Sequence, residues 1–170
     1  MSKKLLECVP NFSEGNNSEI IQSITDEVKS VEGVTLLNVD PGKATNRTVV
    51  TFVGNPDSVI EAAFKLIKKA AELINMETQH GEHPRMGATD VCPLIPIAGI
   101  SMDEAINYSE ILAKKVSNEL NIPTYLYEYS AKKQYRSNLA QIREGEYEGL
   151  KNKVKNPKWK PDFGPTEFNK

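Results

Sequence analysis

The sequence predicts an α+β fold of the ferredoxin-like, split βαβ type: a β-α-β-β-α-β unit extended by one further helix and one further strand. Three observations carry this. Strand-like apolar runs and apolar residues at helical spacing alternate in that order from Leu5 to Ile97. Only Asp40 to Asn46 separates the second and third strands, too short for the crossover helix of a doubly wound sheet. The 170 residues make one ordinary domain. A chain of this size buries about 70% of its unfolded surface and needs no disulfide or metal to fold.

The first strand is Leu5 to Val9, stopped by Pro10 and Asn11. Asn11 to Asn17 has loop composition. Ile20, Ile21, Ile24, Val28 and Val31 then give one apolar helix face, with Gly33 as the stop. Val34 to Val39 reads as the second strand, closed by a turn at Asp40-Pro41-Gly42. Arg47 to Val53 is the third, closed by Gly54. Asn55-Pro56 is a good helix start, and Val59, Ile60, Ala63, Phe64, Ile67, Ala71 and Ile74 form its buried face. Residues 75 to 88 are polar, aperiodic and hold both histidines; a loop this long inside a compact domain is usually functional. Thr89 to Ile97 is apolar, but Pro93 and Pro96 make it an edge or broken strand. Ser101 and Glu104 fit a capping box for a helix reaching about Leu120. Pro123 to Tyr129 reads as a further strand, followed by short helices near 139–142 and 147–153.

Composition narrows the function. There are 21 Lys+Arg against 23 Asp+Glu, a net charge of −2, which argues against a dedicated nucleic-acid binder. No apolar run is long enough to cross a bilayer, and the first residues leave no room for a signal-peptide core. Cys8 and Cys92 lack C-x-x-C spacing and read as buried, reduced thiols, which suits a cytoplasmic setting.

Several residues could carry chemistry. Imidazole as a group can both take and give a proton near neutral pH, which makes His83 the first candidate; it could equally be a surface loop histidine. His80 and His83 also make an H-x-x-H pair, with Glu77, Glu82 and Asp90 as possible further ligands, though nothing fixes a complete zinc set. Arg47 and Arg85 are guanidinium forks suited to carboxylates, or to ordinary surface ion pairs. Asp40 could orient a histidine or a substrate amine, or simply serve a turn. Asn11 to Gly15 leads into a helix start that favours anions but lacks Walker and Rossmann glycines. Tyr125, Tyr127 and Tyr129 alternate, placing them on one sheet face for packing or, less expectedly, base stacking.

Taken together, Cys8-Val9-Pro10-Asn11-Phe12-Ser13-Glu14-Gly15, Thr45-Asn46-Arg47-Thr48 with Thr51-Phe52-Val53-Gly54, and Gly81-Glu82-His83-Pro84-Arg85-Met86-Gly87-Ala88 closely resemble the glutamate formimidoyltransferase family. Ile142-Arg143-Glu144-Gly145-Glu146-Tyr147-Glu148 and Trp159 to Pro165 extend the resemblance, which runs in order over nearly the whole chain. The family moves a formimino group from N-formimidoyl-L-glutamate to tetrahydrofolate in histidine breakdown, and some members use formylated substrates. The resemblance implies two similar α/β subdomains with folate between them. Residues 1–170 look like the N-terminal subdomain alone, so a separate C-terminal subdomain or a homo-oligomer is the implied partner. It implies His83 as general acid–base, with Asp40 orienting or relaying protons and Arg85 holding a carboxylate or developing charge. Asn11, Glu14 and Arg47 are implied substrate-positioning residues, and Gly164-Pro165 begins the folate-binding stretch. Tetrahydrofolate is implied as co-substrate, with no metal. The competing expectation is a non-catalytic module that binds folate or a partner.

Overall fold

Pro10 and Pro93 shape the sheet, because proline offers no N–H to a strand ladder. In the computed structural model, which describes residues 3–168, the first strand is divided into β1 (Leu5–Cys8) and β2 (Asn11–Phe12). The last is divided into β5 (Thr89–Val91) and β6 (Leu94–Ala98). Between them run β3 (Val34–Gly42) and β4 (Arg47–Gly54). All pairings are antiparallel, in the order β5-β2-β4-β1-β6, with β3 on the other edge of β4. Continuous β4 spans the break at Pro10, where Val50 N–H donates to the Pro10 carbonyl at 2.9 Å, and the two breaks meet where Val9 N–H donates to the Pro93 carbonyl at 3.2 Å. The fold is α+β.

Helices cover one face of this sheet. The amide oxygen of Asn17 caps α1 (Ser18–Lys29), and that of Asn55 caps α2 (Pro56–Leu73), which starts on Pro56. Ser101 and Glu104 form the expected capping box at α3 (Met102–Leu120). Alternation on the strands sends Leu6, Cys8, Phe12, Val50 and Phe52 into a core shared with Ile24 and Val28 of α1 and Val59, Ala63 and Leu66 of α2. Each large side chain buried there stabilises the fold by about 1.5–3 kcal/mol. The opposite face stays open. No described helix is long and apolar enough to cross a membrane.

Three local expectations are corrected. Asp40, Pro41 and Gly42 do not form the turn; β3 continues through them, and the chain reverses at Lys43–Asn46 instead. An edge strand tolerates Pro41, and Asn46 supplies the left-handed residue the reversal needs, at φ 47°. The strand expected over Pro123 to Tyr129 is reduced to a single bridge, Thr124 to Phe163. There the Leu126 N–H donates to an Asp162 carboxylate oxygen at 2.9 Å rather than to a strand, and Glu128 turns the chain at φ 52°. Consequently the three tyrosines share no sheet face. The Tyr125 hydroxyl donates to the Trp159 carbonyl at 2.6 Å, burial pushes the Tyr127 hydroxyl pKa up, and Tyr129 is exposed. This C-terminal region is held instead by buried Arg136, which pairs with Asp162 at 2.9 Å and donates to the Lys158 and Lys160 carbonyls. Two short helices follow the expected positions, α4 (Leu139–Arg143) and α5 (Glu146–Lys153).

Cys8 and Cys92, distant in sequence, meet where the two strands break. Their sulfurs lie 3.5 Å apart as free thiols, and burial pushes the Cys8 thiol pKa up.

Candidate active site

Three segments converge on the open side of the sheet: β2 with Asn11, the start of β4 with Arg47, and the 75–88 loop with His83. Glycine allows the approach. A side chain on Gly15 would lie 2.3 Å from the Gly42 carbonyl oxygen, and one on Gly81 would lie 2.2 Å from that of Thr45. Both loops therefore press directly on the β3–β4 turn. Asn46 in that turn ties them together: its side-chain oxygen accepts from Gly15 N–H at 2.9 Å, and its amide donates to the His80 carbonyl at 2.8 Å.

At the centre, Arg47 Nη1 meets His83 Nε2, and Nη2 donates to Asn11 Oδ1. The Asn11 amide is fixed from behind by donation from Nδ2 to the Val9 carbonyl at 2.8 Å. His83 Nδ1 lies 2.6 Å from the Pro84 carbonyl, which can only accept, so Nδ1 carries the proton. Guanidinium can only donate, so Nε2 is the basic nitrogen. Burial draws the Arg47 pKa down, yet guanidinium stays charged. Among the ion pairs of the described residues none involves Arg47, and its buried Nε has no partner. A cation without a carboxylate, beside an imidazole with a free lone pair, is a site for an anionic group next to a proton acceptor.

The other expected residues are placed differently. Asp40 pairs across from Val49, which pairs across from Asn11. Asp40 thus lies in the same cross-strand row and on the same face as Asn11, about 10 Å away by two strand spacings. Its side chain is exposed, and no hydrogen bond or ion pair engages it among the described residues. Glu14 is occupied locally, its carboxylate accepting from Asn16 and Asn17 N–H at 2.7 and 2.8 Å. Gly164, at φ 93°, packs on Ile122 and Ser117 near the end of α3, so Gly164-Pro165 stands apart from the Asn11–Arg47–His83 group.

Arg85 departs most from expectation. Its guanidinium is buried and fully engaged: Nε donates to Gln79 Oε1 at 2.8 Å, and Nη2 to the Gln79 carbonyl at 2.9 Å. Nη1 pairs with Glu146 at 3.0 Å, and Nη2 with Glu148 at 2.8 Å. Hydrogen bonding to Glu148 raises the Arg85 pKa and lowers that of Glu148 to about 2. No donor is left for a ligand, because five guanidinium N–H groups meet five contacts. Asn46, Gln79, Glu146 and Glu148 were not expected at the site. Asn46 had a readable signal, an Asn in a short strand connection; the others did not, since their partners are remote or turn on loop geometry.

The chain matches the formiminotransferase domain, N-terminal subdomain, over residues 5–170. It is 54% identical over 165 residues to the formimidoyltransferase-cyclodeaminase of Dictyostelium discoideum, covering 97% of this chain and 31% of that protein. It is 48% identical over 166 residues to the glutamate formimidoyltransferase of Streptococcus pyogenes serotype M1, covering 98% of this chain and 56% of that protein. The corresponding Thermoplasma acidophilum enzyme is 45% identical over 168 residues, with 98% and 55% covered. This chain therefore spans between about a third and somewhat over half of these relatives. A match that begins in β1 and runs through the His83 loop to the last residue covers the whole described fold, and the chain belongs to the formiminotransferase N-terminal subdomain family.

Proposed function

We propose that this chain supplies the acid–base half of a glutamate formimidoyltransferase site, which moves a formimino group from N-formimidoyl-L-glutamate to tetrahydrofolate. The observation that carries the reading is the His83–Arg47 contact: a histidine held as the Nδ1–H form, with Nε2 turned toward a guanidinium that has no carboxylate partner. In the reaction the folate amine attacks the formimino carbon. The attacking nitrogen becomes acidic as its bond forms, and His83 Nε2 takes its proton. The imidazolium then returns the proton to the departing glutamate nitrogen as the C–N bond breaks, leaving histidine unchanged. Arg47, with Asn11 beside it, is the group that takes substrate carboxylate or steadies charge on the intermediate. Arg85 positions the loop rather than touching substrate. Asp40 is within reach of a ligand lying along the Asn11 row, where its carboxylate suits a substrate N–H. Glu14 shapes the loop into α1, and Gly164-Pro165 serves folate only through segments beyond this chain.

The open face supports a second body over the site. Leu37 on β3 and Ile95 and Ile97 on β6 are 57%, 37% and 51% exposed, and Ile95 pairs with Glu7, which alternates with the core-facing Leu6 and Cys8. An apolar sheet face of this kind calls for cover, and in this reading a C-terminal subdomain supplies it, with a second copy of the chain as the other candidate. We also read β1–β2 and β5–β6 as one broken strand each, which gives the ferredoxin-like strand order, and we place the protein in the reducing cytoplasm.

Calorimetric titration with 5-formyltetrahydrofolate, then N-formimidoyl-glutamate, tests the reading with and without the C-terminal subdomain. Binding is expected, and His83→Ala is expected to lower turnover about 10²–10⁴-fold with binding retained. Unchanged turnover in His83→Ala removes the acid–base role. A folded, partnered chain that binds but never turns over leaves a binding module.

A further inference from the structure

We propose that the Arg143–Glu148 segment is the positioning element of the His83 loop, gripping it at two points of opposite charge. The role rests on the acid–base reading of His83. Sequence singled this segment out without giving it a task, and among the described residues no hydrogen bond joins it to the side chains of Asn11, Arg47 or His83. Its contacts fall on the loop that carries His83.

The first grip is cation onto carboxylate. Arg143 pairs with buried Asp90, and the other Asp90 oxygen accepts from the Met86 N–H at 2.8 Å. The second is carboxylate onto cation. Glu146 and Glu148 hold Arg85, while the Tyr147 N–H donates to the Arg85 carbonyl at 2.9 Å. Through Gln79, Arg85 also closes residues 79–85 into a ring with His83 inside it. Gln79 Nε2 in turn donates to the Asn46 carbonyl at 2.9 Å, one residue from Arg47. The contacts thus run without a gap from α5 to the guanidinium that faces His83.

Two features set this apart from general packing. The segment is cationic at Arg143 and anionic at Glu146 and Glu148, and Asp90 and Arg85 answer each in turn, so a reversed placement brings like charges together. And Glu146 holds a left-handed backbone, φ 50°, directly after Gly145 at φ 88°; a non-glycine residue keeps that conformation only where its surroundings impose it. Here it sets both glutamates against one guanidinium. The carboxylates themselves remain 42% and 62% exposed, so converting them to amides opens no buried hole.

The test is the chain carrying Glu146→Gln and Glu148→Gln, compared with wild type by amide hydrogen exchange and by nitrogen NMR of the His83 ring. We expect exchange over residues 79–88 to rise about 10-fold or more, with α1 and α2 unchanged. The ring nitrogens should move from the Nδ1–H pattern toward the tautomer mixture of free imidazole. Unchanged exchange together with an unchanged ring spectrum overturns the proposal; so does loosening spread evenly over the helices, which marks general destabilisation. If the double variant does not fold, Arg85→Lys, which keeps the charge and loses the fork, takes its place with the same readouts. None of these measurements uses substrate. Failure of the chain to bind or turn over would therefore strike the acid–base reading and leave this result standing.

Discussion

The regions around Arg85 and Arg47 lie on two sides of one loop and treat the same side chain in opposite ways. Arg85 is buried against Gln79, Glu146 and Glu148, and hydrogen bonding raises its pKa. Arg47 contacts two neutral partners, and burial lowers its pKa. A satisfied guanidinium holds structure together; a guanidinium partly desolvated without its counter-ion has binding energy left to give to a ligand. From sequence the two are interchangeable. Their neighbours alone assign the roles.

The largest expected effect sharpens that division on the ligand side. Arg47→Ala should weaken binding of N-formimidoyl-glutamate or folate by about 10–100-fold, the worth of a charged hydrogen bond, with the melting temperature nearly unchanged. Calorimetry beside a thermal melt checks both halves; full affinity in this variant erases the distinction. Next, Arg85→Ala should cost about 2 kcal/mol and lower the melting temperature by about 4–8 °C. The loss stays below that of a fully buried pair because both glutamates remain solvated. A variant as stable as wild type would make Arg85 no structural tie at all.

A smaller effect follows pH. Arg85 holds the Glu148 carboxyl at about 2, against an ordinary 4.5. A lowered folded-state pKa gives stability that is present above the unfolded value and lost as pH falls through the folded one. The stability gap between wild type and Glu148→Gln should therefore be level above about pH 5 and close between 4.5 and about 2. Melts across that range test it, and a gap that widens on acidification contradicts it. Smallest is a control remote from both arginines. Glu61→Gln, which removes the bridge to Lys115, should change stability by less than about 0.5 kcal/mol, as solvent-exposed pairs do.

Much of the scaffold was legible because its signals are local. Asn55 as a cap, the Ser101–Glu104 box and the proline-broken last strand each need only a few neighbouring residues, and all appear where expected. The long loop with His83 also stood out, and the structure brings His83, Arg47 and Asn11 together. What was hidden depended on remote partners. Arg85 meets carboxylates about 60 residues downstream, and no spacing rule connects them. The Thr124 segment had strand composition but no free ladder to join, so a carboxylate and a single bridge took its backbone groups. At Asp40, turn-forming residues lost to edge-strand pairing with β4.

The paired strand breaks at Pro10 and Pro93 have a consequence for redesign. They crease the sheet along one line, with Leu6, Phe52 and the β1–β6 ladder on one panel and Asn11, Arg47 and the short β2–β5 ladder on the other. The larger panel is the foundation and the smaller one the workbench. Residues such as Val49 and Val91, beside Asn11 on the smaller panel, can be varied to reshape the surroundings of Asn11 while the foundation keeps its own register and core.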